Sequence, residues 1–292
     1  MTAQASAPAM AVVGLGGKEG RSWLPRHTLG IVGALVIVGW LVILVVAPDI
    51  APYSYRQVDV IARLRPPSTE HLFGTDALGR DVFSRVLVGT RVSLPSGVTV
   101  VLIAAAFGTL YGGIAAYGGS RMEEVMMRAT DLFLSFPPLI LAMAIAAALG
   151  IGVRNTIIAM VVVWWPKYAR LARSLVIIQR SLEYVEAAHA LGQGSGRTLL
   201  RHIVPNAAGP VVVLTTLDVG SSMITFAGLS FLGLGVVPPT PEWGAMVSEG
   251  QVLIDQWWVS AFPGLAIFTV VVGFNFLGDT LRDWLDPRAR RR

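Results

Sequence analysis

Cysteine is absent from all 292 residues, and charge is scarce: Asp, Glu, Lys and Arg make up 14% of the chain while 54% is apolar. Without cysteine there are no disulfide frameworks, thiolate nucleophiles, or Cys-based zinc or iron–sulfur sites. A soluble domain usually carries about a quarter charged residues, so a mean hydropathy of +0.64 argues against a water-facing enzyme. Histidine is sparse as well, and none of His27, His71, His189 and His202 is paired at the spacing of a helical metal site. The net charge of +5 suits cytoplasmic loops and anionic lipid headgroups better than nucleic acid in so apolar a chain. These features describe a polytopic membrane protein.

Uncharged runs lie at 28–47, 92–120, 132–153, 155–166, 203–217 continuing past one acid through 219–241, and 256–278. About 20 apolar residues cross a hydrocarbon core of about 30 Å, so five runs span outright. The run from 155 is short, but continues through Trp164, Trp165 and Tyr168 if Lys167, Arg170 and Arg173 snorkel to one interface. The expected fold is all-α with six transmembrane helices.

Cations set the orientation. Segment 167–202 and the tail 282–292 are arginine-rich, whereas the loop 236–258 holds Glu242, Glu249 and Asp255 and no cation. By the positive-inside bias the first two are cytoplasmic and the acidic loop is outside. Lys18, Arg21 and Arg26 then place the N-terminus inside, beyond a disordered lead over 1–22. The first apolar run is too long for a cleaved signal peptide and lacks a small-x-small site.

Segment 48–91 falls outside, although it carries six arginines against five acids. There Thr75 or Asp76 would cap a helix, Asp81 would pair with Arg85, and Val82, Val86, Phe83 and Leu87 would make an interfacial amphipathic helix. Trp243, Trp257 and Trp258 read as an interfacial aromatic belt or as a surface that receives a binding protein. The expected domains are thus the lead, residues 23–91 with the first span, a five-helix core over 92–281, and a basic tail.

Segment 183–206 carries the most specific pattern. Glu183 precedes Glu186-Ala187-Ala188, Gly192 follows, and Pro205 stands thirteen residues beyond that glycine. The alanines favour a slim helix, Gly192 suits a left-handed helix end, and Pro205 suits the first turn of the next helix. Spacing apart, the same residues would make an ordinary loop helix. The pattern resembles the EAA loop of ABC importer permeases, departing at His202 and Val204 from the general consensus. A second segment, Gly74-Thr75-Asp76-(x)2-Gly79-Arg80-Asp81-(x)2-Ser84-Arg85, is similar to the stretch before the second span of dipeptide, oligopeptide and nickel permeases. A third is Leu229-Ser230-Phe231-Leu232-Gly233-Leu234-Gly235 with Pro238, Pro239, Pro241, Trp243 and Gly244 beyond it. Together they cover residues 74–244.

The resemblance implies the fold of a type I ABC importer permease with both termini cytoplasmic. It implies a second permease subunit, two ATPase subunits and an extracytoplasmic substrate-binding protein as partners. Coupling would fall to Glu183, Glu186, Ala187, Ala188, Gly192 and Pro205. ATP and Mg would sit on the ATPases, with no cofactor, metal or catalytic residue in this chain. Gly194-Ser195-Gly196-Arg197-Thr198 lacks the earlier glycine and the lysine of a phosphate-binding loop. The substrate would be a dipeptide or oligopeptide; nickel, glutathione or haem on the same machinery is the alternative, and a secondary transporter another.

Asp218 is the one acid within an otherwise uncharged span, where such a group costs about 2.5–3.5 kcal/mol on insertion scales. It either lines a translocation path with Ser222 and meets a substrate amine, or makes a buried bond to a neighbouring span.

Overall fold

A computed structural model describes residues 26–198, 201 and 203–285. The expected lead and most of the basic tail lie outside them. The described residues form ten α-helices: α1 (Arg26–Ile50), α2 (Val82–Tyr117), α3 (Ser120–Leu134), α4 (Pro138–Leu149), α5 (Val153–Arg180), α6 (Glu183–Ala190), α7 (Ser195–Thr198), α8 (Val204–Phe231), α9 (Trp243–Gly250) and α10 (Trp258–Leu285). Among these residues there is no strand, only an isolated bridge between Thr75 and Asp81.

Four helices are each long and apolar enough to cross a membrane: α1 from Thr28, α2, α8 and α10. A bent pair, α3 with α4, raises the number to five if it is counted as one span. The sequence led us to expect one straight helix over 132–153. Instead the chain turns by 87° between α3 and α4, and α4 has only 12 residues, about 18 Å. Pro137 and Pro138 account for the break, since each lacks an N–H and the first restricts Phe136 as well. Helix α5 has 28 residues, enough to span, but Arg154, Lys167, Arg170, Arg173 and Arg180 interrupt its apolar surface. Three of these cations do not merely snorkel. Lys167 pairs with Asp218, Arg170 with Asp131 and Arg173 with Glu123.

Tight packing of α2 on α5 fixes the core. A Cβ on Gly112 would lie 2.0 Å from the Ala169 carbonyl oxygen, and one on Gly108 would lie 2.3 Å from that of Trp165. Small residues four apart let helix backbones touch where lipid gives no hydrophobic drive for association. Trp165, Tyr168, Met160, Val100, Val101 and Phe226 fill the interior around this seam.

Helix α2 corrects the reading of segment 76–91. No separate helix lies along a surface there; α2 runs unbroken for 36 residues from Val82, with Asp81 as its cap through a 2.7 Å bond from the Ser84 amide. Its first turns are buried, including Val82, Ser84, Arg85, Val86 and Leu87.

Candidate functional site

Two ends of the helix bundle carry the sequence motifs. At one end, segment 52–81 folds against α2, α9 and α10. Gly79 has φ +73°, and a Cβ there would stand 1.7 Å from the Asp59 carbonyl oxygen, so only glycine fits. Gly74, also left-handed, is packed against Arg65 and Trp258 in the same way. Thr75 accepts a bond from the Arg65 amide and donates to the Ala62 carbonyl.

Those turns aim Asp76 at two arginines. Asp76, 1% exposed, accepts from the Leu78 and Arg80 amides on Oδ1. Its Oδ2 accepts from Arg80 Nε at 2.6 Å and Arg85 Nη1 at 2.5 Å. Both guanidiniums reach on to Glu249 of α9, at 2.9 Å from Arg80 and 2.6 and 3.0 Å from Arg85. Asp81 does not pair with Arg85 as expected; it faces His71 Nδ1 at 3.0 Å. Thus the motif is a charge-balanced bracket of two cations and two anions that ties segment 52–81 to α9.

The tryptophans also depart from expectation. Trp243 and Trp258 are buried and donate to the Val86 and Thr75 carbonyls at 3.0 and 3.1 Å, whereas Trp257 is 58% exposed. Buried Trp243 and Trp258 are anchors, not a belt. Glu242, one of the three acids in the loop 236–258, is fully buried and caps α9 by accepting from the Gly244 and Ala245 amides at 2.9 Å. Burial pushes its carboxyl above the usual carboxylate range.

At the opposite end, Glu183 opens α6, the short helix that holds the Glu-Ala-Ala motif. Its helix closes through a Gln193 N–H bond to the Ala188 carbonyl at 3.1 Å, with Gly192 at φ +79°, the six-to-one closure that a left-handed glycine permits. Pro205 lies in the first turn of α8. Val185 and Ala188 face inward, Val185 packing with Ala116, Val176 and Ile203. Glu183, Glu186, Ala187, Ala190 and Gly192 face outward, beside Leu191 at 88% exposure. No heavy atom lies within 4 Å of a Cβ built on Gly192. Tyr184 joins this helix to both neighbours, through Gln179 of α5 and Asn206 of α8.

Between the two ends, Asp218 is buried and meets α5. Its Oδ2 lies 2.6 Å from Lys167 Nζ and accepts from Tyr168 Oη at 2.6 Å. Lys167 Nζ also sits 4.8 Å from the Trp164 ring centre. Ser222, one turn on, lies 2.9 Å from the Gly97 carbonyl oxygen of α2. Asp218 stands out in the sequence, but its partners do not: Lys167 reads as an interfacial cation and Tyr168 as part of the apolar span. The signal was an acid and a cation in adjacent spans.

Comparisons with known proteins identify the family. The family described as binding-protein-dependent transport system inner membrane component matches residues 108–291. The probable D,D-dipeptide transport system permease protein of Escherichia coli is 44% identical, over 91% of this chain and 90% of that protein. The dipeptide transport system permease protein of Alkalihalophilus pseudofirmus is 42% identical over 94% and 90%. The glutathione transport system permease protein of Escherichia coli is 43% identical over 91% and 88%. With that coverage, and with several helices apolar enough to cross a bilayer, this chain is a multi-pass inner-membrane protein that belongs to the family of binding-protein-dependent transport system inner membrane components.

Proposed function

We propose that this chain is one permease subunit of an ATP-driven importer of dipeptides or oligopeptides. The observation that carries the reading is the outward face of α6. It is a slim helix of exposed Ala187 and Ala190, flanked by Glu183 and Glu186, ending in a left-handed Gly192 and held to α5 and α8. Such a face suits insertion into a groove of another protein. Its occupant would be an ATPase subunit, one of two, which binds ATP and Mg. A second permease subunit would complete the pore, and an extracytoplasmic binding protein would deliver the substrate. ATP binding moves α6, and rigid-body motion of the spans alternates access. Glutathione is itself a tripeptide, so a relative named for it keeps the substrate within peptide chemistry. Uptake of peptide, glutathione, nickel and haem, compared between a deletion strain and its complemented parent, tests the substrate. Loss of peptide uptake alone supports the reading, and loss of nickel or haem uptake alone overturns it.

In this reading α5 and the α3–α4 pair each count as a span, giving six with both termini cytoplasmic. The fold favours it, because segment 52–81 and α9 meet at one end while α6 lies at the other. Single cysteines introduced into this cysteine-free chain give a direct check. An impermeant maleimide added to intact cells should label Ser68→Cys and Val252→Cys, but not Gly194→Cys. The opposite pattern would invert the topology.

A further inference from the structure

Below Asp218 the bundle is open. A cavity of about 670 Å3 separates α8 from α2 and α5, lined among others by Leu110, Ile114, Leu175, Ala208, Val211 and Thr215. Thr215 and Thr216 line it as well, and Asp218 follows within a turn along α8. Thr156 at the far end of α5 donates to the Leu234 carbonyl in the turn after α8 at 2.7 Å, but the two helices themselves are joined at two places, on either side of this cavity. One is the α6 end, where Tyr184 links Gln179 to Asn206 and Val185 packs with Val176 and Ile203. The other is the contact of Asp218 with Lys167 and Tyr168. Asn206 and Asp218 are twelve residues apart, roughly 18 Å along the helix. A pair of rods joined at one point still hinges; joined at two points so far apart, it does not.

We propose that Lys167, Tyr168 and Asp218 form a clamp that makes α5 and α8 a single lever for α6, so that displacement of the loop moves both helices together. Separating the clamp leaves a carboxylate and an ammonium unpaired within the membrane, a state disfavoured by a factor on the order of a hundred or more. Lys167 is 34% exposed on its side chain, yet it is held by the carboxylate and by the Trp164 and Tyr168 rings together. These are positioning residues, and their role rests on the proposed contact between α6 and an ATPase.

The test uses the complete transporter with spin labels at Ile178→Cys in α5 and Val212→Cys in α8. With the clamp intact, the distance between the labels should be the same without nucleotide and in the ATP-trapped state. The apolar pair Lys167→Met with Asp218→Leu removes both charges, so the complex still assembles. In it the distance should become nucleotide-dependent, and substrate moved per ATP hydrolysed should fall about tenfold. The exchanged pair Lys167→Asp with Asp218→Lys should restore both. A nucleotide-dependent distance in the unmodified complex would overturn the clamp, as would full coupling in the apolar pair. Asp218→Asn that keeps its coupling but loses preference for free-amine over N-acetylated peptides would assign Asp218 to the substrate path instead. The distance arms need no peptide, so a wrong substrate and a wrong clamp give different results.

Discussion

Gly192→Asp is expected to abolish uptake while leaving the subunit inserted and folded. The position is left-handed, a conformation that aspartate tolerates better than most residues, and no neighbour lies within 4 Å of the new Cβ. The free subunit therefore loses little. In the assembled importer, however, the added carboxylate would be buried unpaired against the ATPase. That penalty, roughly 3–5 kcal/mol, is more than about a hundredfold in occupancy of the docked state. Co-purification of the ATPase subunits should fall with transport. Wild-type uptake and substrate-stimulated hydrolysis in the variant would remove α6 from the coupling path. Gly192→Asn separates the two causes, since it keeps a similar shape without the charge, and should retain much of the activity.

The other large effect concerns stability at the opposite end. Asp76→Ala removes the carboxylate that both buried arginines share and leaves Arg80 and Arg85 facing Glu249 alone. Breaking a buried pair in this way costs about 3–5 kcal/mol, and the thermal midpoint of the purified subunit should drop by about 10 °C. Glu249→Gln should cost clearly less, because its side chain is 32% exposed and water can replace part of what is lost. Combining Asp76→Ala with Arg85→Met should cost less than the sum of the single changes, as expected for contacting residues. An unchanged midpoint in Asp76→Ala would mean that the bracket does not hold segment 52–81 in place.

What could be read from the sequence was local. The apolar stretches of α1, α2, α8 and α10 follow from uninterrupted hydropathy. The turn at Gly192 and the start of α8 at Pro205 follow from residue types whose backbone preferences act within a few positions. What could not be read depends on partners far along the chain. Spacing offers Asp81 as the partner of Arg85, whereas the fold gives Arg80 and Arg85 the nearby Asp76 and also Glu249, which lies more than 160 positions away. Lys167 looked like an interfacial residue because Asp218 is 51 positions on. Trp243 and Trp258 looked like belt residues because the carbonyls of Val86 and Thr75 are equally remote. The bend at Pro137 and Pro138 is a different failure: hydropathy reads straight through it, while backbone chemistry does not.

Six arginines in segment 48–91 weigh against placing it outside, but the fold accounts for several of them. Arg80 and Arg85 are compensated within the fold, and Arg91 donates to the Leu44 carbonyl at 3.1 Å. Cations held in this way are not free to meet lipid headgroups. In the proposed topology the positive-inside bias is then carried by the loop around α6 and by the C-terminal tail.

Uptake into liposomes tests the central claim most directly. Labelled dipeptide should accumulate when this chain is reconstituted with the second permease subunit, both ATPases and the binding protein, with ATP on the ATPase side. It should not accumulate when a non-hydrolysable nucleotide replaces ATP, or when Gly192→Asp replaces the native chain. Accumulation by this chain alone, driven by a proton or sodium gradient and indifferent to ATP, would contradict the account.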